Sequence, residues 1–264
     1  ETMQRMGYFC KDWGVKSWRI AGDSEPTLHK ELGTLLQSGK DNGIHMGLIT
    51  NGTLLHKVNN LEYLTWIGIS LDAATAETWS RLKYSPEKNF YQILENVKQI
   101  RKDHPNIDIT LKFVKWSSQG DMARNELSND KTIDGNNYAD AALLPDLAKG
   151  LDVKHIIHDA FPQKPKYKFE VCRATPLYGT FGVDHKFHIC CDRRLSPSLV
   201  LTDDYTRDDW QELPNIWGSE KHKELISKIV PQQCPFCSKH RLNSILENIV
   251  GDGELTEDYQ AEFI

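Results

Sequence analysis

Five of the six cysteines lie between residues 172 and 237 of this 264-residue chain, the region with the clearest capacity for chemistry. Cys234 and Cys237 have the C-x-x-C spacing that lets two thiolates bind one metal centre from a single turn. Cys172 and the adjacent pair Cys190 and Cys191 can supply two more thiolates. Four sulfurs suit a zinc ion or a four-iron cluster, and spacing alone leaves both open, together with a set of free buried cysteines.

The sequence distinguishes the remaining cysteines by their surroundings. Residues 184–190, DHKFHIC, predict a turn followed by a strand that ends at Cys190. Because neighbouring side chains on a strand point to opposite faces, only one of Cys190 and Cys191 easily faces a shared centre, and we favour Cys190. Cys10 stands in a helical pattern beside aromatic residues, which favours a core position. Disulfides are a weaker explanation, because the chain lacks the features of a small secreted domain.

A second set of polar residues lies at the ends of three predicted strands. These residues are Asp23, Ser24 and Glu25 after the first strand, Asn51 after the second, and Ser70 and Asp72 within the third. Alternation places Ser70 and Asp72 on one face of their strand. In parallel α/β folds the carboxyl ends of the strands carry the site, because the following loops converge there. The competing explanation is that these residues have a purely structural role, because Ser24 can cap a helix and Asn51-Gly52 is an ordinary turn signal.

Strand patterns alternate with helical patterns up to about residue 160. The predicted strands cover 17–21, 45–50, 66–72, 107–114 and 153–159. The predicted helices cover 27–42, 54–64 and 75–103 with a break at residues 85 and 86, and the chain opens with another helical pattern. Repeated strand-helix-strand units imply parallel strands with right-handed crossovers. Five strands are too few for a closed barrel, so we expect an α/β fold, a partial (β/α)6-type parallel barrel that lacks its first strand.

The pattern changes after this region, which predicts two domains, 1–160 and 161–264. The second is expected to be a small cysteine-rich α+β domain that ends in a helix around residues 240–250. The polar stretch 117–137 is expected to be a long loop, as a lid, a binding loop or a disordered segment. The acidic residues after 250 are expected to be a solvated terminus.

Net charge and hydropathy limit the kinds of partner that we expect for this chain. A net charge of -5 and a pI near 6.1 give no long-range attraction to nucleic acid or to an anionic membrane. The mean hydropathy is -0.54, and no run of about 18 apolar residues occurs. We therefore expect a cytoplasmic protein with small-molecule or protein partners, without nucleic acid or membrane.

The order WRIAGDSEPTLH, LITNGTLL and IGISLDAATAETWSRLK resembles the core of the radical S-adenosylmethionine superfamily over about residues 11–115. In that family a Gly-Gly-Glu-Pro stretch contacts the methionine amino group of the cofactor. Its place is taken here by residues 23–26, which keep Glu25 and Pro26 and lack both glycines. The resemblance implies that these residues, with Asn51, Ser70 and Asp72, surround S-adenosylmethionine, and that Ser70 is the best candidate for direct contact.

The last third looks like the twitch or SPASM auxiliary-cluster domains that follow this core. It holds enough cysteines for one cluster, which points to the shorter twitch form. The resemblance implies an auxiliary [4Fe-4S] cluster on Cys172, Cys190, Cys234 and Cys237, with Cys191 as the substitute ligand.

One family motif is absent from these residues, the C-x-x-x-C-x-x-C loop that holds the cluster at which the cofactor is cleaved. We expect that the loop lies upstream of Glu1 and that the chain is a fragment. The radical S-adenosylmethionine [4Fe-4S] cluster is expected only if that loop is present.

The resemblance implies an enzyme that generates a 5'-deoxyadenosyl radical to abstract hydrogen from a peptide or small-molecule substrate. Its electron donor would be a flavodoxin or a ferredoxin. The alternative is a non-catalytic module that binds zinc or an iron-sulfur centre and serves as an interaction protein.

Overall fold

The computed structural model describes residues 2–22, 24–115, 137–159, 167, 169–193, 196–202, 211–234 and 237–251. Contacts divide the chain into two compact units, Glu1–Pro162 (unit 1) and Gln163–Glu262 (unit 2). Within the described ranges, no helix has both the length and the apolar character needed to span a bilayer.

Unit 1 contains a five-stranded sheet in which every neighbouring pair of strands is parallel. The strands follow chain order across the sheet: β1 Ser17–Ile20, β2 His45–Thr50, β3 Leu64–Ser70, β4 Asp108–Lys115 and β5 Lys154–Asp159. The α/β class and the five parallel strands predicted from the alternating patterns are confirmed. The third strand begins two residues earlier than predicted and ends at Ser70.

In the described part of unit 1, helix α1 Thr2–Asp12 precedes the sheet, and α2 Leu32–Asp41 connects β1 to β2. Helices α3 Ala76–Lys83 and α4 Glu87–Asp103 lie between β3 and β4, and α5 Leu144–Gly150 lies between β4 and β5. The predicted break between α3 and α4 is confirmed: Tyr84 adopts a left-handed conformation with φ 49°, and Pro86 stands at the N-cap of α4. A left-handed residue cannot continue a right-handed helix, so the chain restarts at Glu87.

The predicted helix over 54–64 is wrong. Two short 3₁₀ turns, Leu55–Lys57 and Leu61–Tyr63, occupy this stretch. Asn60 separates them with a left-handed φ of 66°, a conformation that asparagine tolerates better than most residues. Leu55 and Leu61 are still buried, so the leucine spacing reports burial rather than a continuous helix.

The predicted helix over 27–42 is shorter than expected. Its first residues form a separate 3₁₀ turn, Pro26–Leu28, which ends at His29 in extended conformation. The α-helix itself begins at Leu32. Pro26 suits this first position because proline lacks the N–H that a helix start leaves unpaired.

The core of unit 1 lies between the sheet and its helices. Leu48, Ile67 and Ile109 are neighbours in register across three strands and are at most 3% exposed. Cys10 of α1 belongs to the same core, as expected from its aromatic neighbours, and burial raises the pKa of its thiol to about 12. Cys10 is therefore a core residue and no candidate ligand.

Unit 2 contains a three-stranded antiparallel sheet and short helices. The strands are β6 Thr180–Phe181, β7 Phe187–His188 and β8 Val200–Thr202. The helices are α6 Leu213–Ile216, α7 Glu220–Ser227 and α8 His240–Gly251. The Trp217 ring packs between Phe187, at a centroid distance of 5.9 Å, and His222, at 4.1 Å.

Cys190 and Cys191 were predicted to lie on a strand and to point to opposite faces. This prediction is wrong, because neither residue lies on a strand. β7 ends at His188, and Cys191 begins a 3₁₀ turn that ends at Arg193. The backbone N–H of Arg193 donates to the carbonyl of Cys190 at 3.3 Å, so the chain turns where the extended conformation had been predicted.

Candidate functional site

The predicted site residues of unit 1 gather at one edge of the sheet. β1, β2 and β3 are parallel and adjacent, so their carboxyl ends lie side by side. Glu25 follows the first of these ends, Asn51 follows the second, and Ser70 is the last residue of β3. Asp23 lies outside the described residues, and Ser24 is an exposed residue in a bend. We call this edge the strand-end site.

Glu25 joins the loops that follow β1 and β2. Its Oε1 accepts hydrogen bonds from the Thr27 N–H at 3.0 Å, the Thr27 hydroxyl at 2.7 Å and the Thr50 hydroxyl at 2.6 Å. Its Oε2 accepts from the Asn51 N–H at 2.7 Å. Glu25, not the predicted Ser24, therefore caps the following turn, because its longer side chain reaches both loops. The carboxylate is already occupied by protein donors.

Asn51 has one end of its carboxamide fixed and the other available. Its Oδ1 accepts from the N–H and hydroxyl of Thr53, at 2.9 and 2.6 Å. This turn is closed from behind by Asn96, whose Nδ2 donates to the Gly52 carbonyl at 2.8 Å. Among the described residues, Nδ2 of Asn51 has no hydrogen-bond acceptor. Because Oδ1 of the same carboxamide is fixed by Thr53, Nδ2 is a donor in a defined position at the strand-end site.

Asp72 does not share a strand face with Ser70, so that prediction is wrong. β3 ends at Ser70, and the N–H groups of Leu71 and Asp72 both donate to the Lys112 carbonyl, at 3.0 and 3.3 Å. This turns the backbone and leaves Asp72 with a left-handed φ of 60°. Its Oδ1 accepts from the Val114 N–H at 2.8 Å, and its Oδ2 pairs with Lys83.

Ser70 keeps its hydroxyl free of protein partners within the described part of the chain. It lies opposite Lys112 in the register of β3 and β4. Burial lowers the pKa of Lys112, the positive charge of Arg19 lowers it further, and the negative charge of Asp72 opposes both. A hydroxyl beside a half-buried cation favours a polar, partly anionic ligand.

Two positioning residues were missed by sequence reasoning. Asn137 is 2% exposed, and its Nδ2 donates to the carbonyls of Asp72 at 2.6 Å and Val114 at 2.9 Å. The carboxylate of Asp140 accepts from the N–H groups of Ala74 and Thr75, both at 2.8 Å. Asn137 ends the polar stretch predicted as a long loop, and the rest of that stretch lies outside the described residues. No local pattern marks either residue, because their partners are far away in sequence.

The cysteines of unit 2 come together from three separate segments. Burial, together with the negative charges of Asp192, Cys172 and Cys190, raises the pKa of the Cys237 thiol to about 12. Cys172 and Cys190 are therefore close enough to Cys237 for their charges to act on it. All five cysteines of unit 2 are free thiols.

Three of these thiols accept hydrogen bonds from side chains of unit 2. The Tyr178 hydroxyl donates to Cys190 Sγ at 3.6 Å, and Nη1 of Arg193 donates to Cys234 Sγ at 3.7 Å. Nδ2 of Asn243 lies 4.0 Å from Cys237 Sγ. The remaining contacts hold this arrangement in place, because Oδ1 of Asn243 accepts from the N–H groups of Arg173 and Ala174, at 2.7 and 3.0 Å.

Cys191 has different partners. Its Sγ lies 3.7 Å from the Ser238 hydroxyl and 3.8 Å from Oδ1 of Asp192. Asp192 in turn accepts from the N–H and hydroxyl of Ser238, at 2.6 and 2.9 Å. The choice of Cys190 over Cys191 as the ligand stays a prediction.

The cysteine spacing predicts two kinds of centre, a zinc ion and a four-iron cluster. In the described ranges, no group of three or more His, Cys, Asp or Glu side chains could hold a single metal ion. A closed zinc site needs four ligands that converge on one ion at about 2.0–2.3 Å. A four-iron cluster binds each thiolate at a different iron, so its sulfurs stand further apart.

The fold and the two sites define a class: an α/β protein with a polar site at the carboxyl edge of a parallel sheet and a separate thiol cluster. No family model and no curated protein matches the chain. The fold is similar to that of SuiB from Streptococcus suis. In complex with S-adenosylmethionine, SuiB is 12% identical with a TM-score of 0.53, covering 97% of this chain and 68% of that chain.

Other solved structures are similar to this chain over smaller parts of both chains. SuiB bound to precursor peptide SuiA is 14% identical with a TM-score of 0.52, over 86% of this chain and 59% of that chain. Archaeal TYW1 is 21% identical with a TM-score of 0.37, over 52% of this chain and 40% of that chain. The chain thus spans less than two thirds of the SuiA-bound SuiB chain and of the TYW1 chain. At these sequence identities, the similarity to SuiB shows the fold of this chain and nothing about its function.

Proposed function

We propose that the chain is part of a radical S-adenosylmethionine enzyme that binds its cofactor at the strand-end site. The observation that carries the proposal is the convergence of Glu25, Asn51 and Ser70 at one edge of three adjacent parallel strands. The shared fold with SuiB, which has been solved with S-adenosylmethionine bound, supports it.

The contacts divide the site residues into two roles. Ser70 and Asn51 are proposed to contact the cofactor, because the serine hydroxyl and the asparagine Nδ2 have no acceptors among the described residues. Glu25 and Asp72 are proposed as positioning residues, because their carboxylates already accept backbone N–H groups. Asp23 and Ser24 are proposed to complete the cofactor-binding loop.

S-adenosylmethionine, when bound and given one electron, supplies a 5'-deoxyadenosyl radical that abstracts hydrogen from substrate. That electron requires the [4Fe-4S] cluster of a C-x-x-x-C-x-x-C loop, which these 264 residues do not contain. In this proposal, the chain orients the cofactor between Ser70 and the loops after β1 and β2, which Glu25 joins through hydrogen bonds. We propose a cytoplasmic enzyme that receives the electron from a flavodoxin or a ferredoxin.

We propose that residues 1–160 form a partial (β/α)6 barrel and that residues 161–264 form a twitch-like domain. Cys172, Cys190, Cys234 and Cys237 would hold an auxiliary [4Fe-4S] cluster, which accepts an electron or holds substrate. A peptide is the proposed substrate, supported by the complex of SuiB with precursor peptide SuiA.

Calorimetric titration with S-adenosylmethionine tests the strand-end site. Ser70→Ala should weaken binding about fivefold, because one hydrogen bond contributes roughly 1 kcal/mol and about 1.4 kcal/mol is a factor of ten. Ser80→Ala, on α3, is the matched control and should leave affinity unchanged. Equal affinities of the wild type and Ser70→Ala would remove Ser70 from the site.

Anaerobic reconstitution with iron and sulfide tests the auxiliary cluster. The chain should turn brown and hold about four iron and about four sulfide atoms. Cys234→Ala should abolish the centre, whereas Cys10→Ala should keep full iron content because Cys10 lies in the core of unit 1. A colourless protein with one zinc ion would refute the cluster.

A further inference from the structure

Of the three side chains that contact the sulfurs of predicted ligands in the described part of unit 2, Tyr178 and Arg193 make the two shorter contacts, each to a different cysteine. Tyr178 precedes the first strand of unit 2, and its hydroxyl donates to Cys190 Sγ at 3.6 Å. Arg193 ends the 3₁₀ turn after Cys190, and its Nη1 donates to Cys234 Sγ at 3.7 Å. The C-x-x-C motif and the family resemblance say nothing about either donor.

The Tyr178 donor is held in place by its surroundings. Nζ of Lys239 lies 5.4 Å from the centroid of the Tyr178 ring, within the range of a cation–π interaction. Lys239 is itself only 8% exposed. A cation against the ring withdraws electron density from the phenol, which strengthens its hydroxyl as a donor to Cys190.

Arg193 contributes differently, because a guanidinium stays charged at every ordinary pH. Cys234 is 8% exposed, so the positive charge acts through a medium with little water. The charge of Arg193 and the dipole of Tyr178 therefore act on two separate sulfurs of the same donor set.

We propose that Tyr178 and Arg193 are positioning residues that raise the reduction potential of the auxiliary cluster, an inference that rests on the proposed cluster of unit 2. Reduction adds one electron to the cluster and breaks or forms no bond. The added negative charge is shared with the thiolate sulfurs, so donors to those sulfurs stabilise the reduced state more than the oxidised state. Loss of either donor lowers the potential.

The experiment is a redox titration of the reconstituted 264-residue chain with dithionite and mediators, monitored by the electron paramagnetic resonance signal of the reduced cluster. Tyr178→Phe and Arg193→Met should each lower the fraction reduced at a fixed potential, with a ratio change of about tenfold, or ~59 mV for a one-electron couple. Arg193→Lys, which keeps the charge, should shift less.

Tyr167→Phe is the matched control. The Tyr167 hydroxyl is buried and has no hydrogen-bond partner in the described part of the chain, while the charges of Cys237 and Cys234 act on it. Removing this hydroxyl changes local polarity without removing a bond to sulfur, so the potential should stay at the wild-type value.

The outcomes separate this inference from the proposed function. A wild-type chain without iron and sulfide overturns both. Full iron content in all variants, with Tyr178→Phe and Arg193→Met at the wild-type potential, overturns the inference alone. An equal shift in Tyr167→Phe overturns it too, because general polarity would then explain the effect.

Discussion

Replacing Glu25 with alanine should destabilise unit 1 and not merely weaken a ligand. The change leaves the N–H groups of Thr27 and Asn51 without an acceptor, at about 1–1.5 kcal/mol each. The hydroxyls of Thr27 and Thr50 can turn toward water, so their loss adds less. We expect the free energy of unfolding to fall by roughly 2–3 kcal/mol.

Urea denaturation monitored by tryptophan fluorescence measures this change, and hydrogen exchange at the Asn51 amide locates it. Glu31→Ala is the control: its carboxylate is exposed and accepts one hydrogen bond from the Thr34 hydroxyl at 3.2 Å. It should cost no more than about 0.5 kcal/mol. Equal stabilities of the two variants would show that the hydrogen bonds of Glu25 to the two loops are unimportant for stability. If Glu25→Ala also lost S-adenosylmethionine binding, Glu25 would contact the cofactor directly.

Two further predictions concern buried titratable groups. Burial raises the pKa of Cys10 to about 12, so a thiol reagent at about pH 8 should leave it unmodified in the native protein and modify it in urea, as measured by mass spectrometry. Burial also lowers the pKa of His222, so the folded protein binds fewer protons than the unfolded chain below the ordinary value of 6.5. The free energy of unfolding should therefore be highest above that value and fall as pH drops from about 7 to about 5, and His222→Phe should flatten this dependence in equilibrium unfolding.

The sheet was predictable because its strands carry strong local signals. Burial on both faces gives β2 and β3 short apolar runs, and helical patterns separate β1 from β2 and β3 from β4. The stretch 54–64 failed because leucine spacing records which side chains are buried, whereas the left-handed backbone at Asn60 decides whether a helix continues. β3 ended early for a related reason: the Lys112 carbonyl, which lies on another strand, captures the N–H groups that follow Ser70.

The residue types of the candidate site were predictable, but their partners were not. Sequence placed Glu25 and Asp72 at strand ends, where a ligand-facing role was the natural interpretation. The structure instead turns both carboxylates toward backbone N–H groups, that of Asn51 after β2 and that of Val114 in β4. The donors Tyr178 and Arg193 carried no signal either, because a hydrogen bond to sulfur imposes no spacing on the sequence.

The strand-end edge uses the same physical device three times. The carboxylate of Glu25, after β1, accepts the N–H of Asn51 after β2; that of Asp72, after β3, accepts the N–H of Val114 in β4; and that of Asp140 accepts the N–H of Ala74. Backbone N–H groups at the carboxyl edge of a parallel sheet lack a further strand partner, and leaving them buried and unpaired is costly. Carboxylates that satisfy them fix the loops before any ligand arrives. Neutral donors such as the Ser70 hydroxyl are then left to recognise the ligand, which explains why the acidic residues, although the most conspicuous in the sequence, are assigned to positioning.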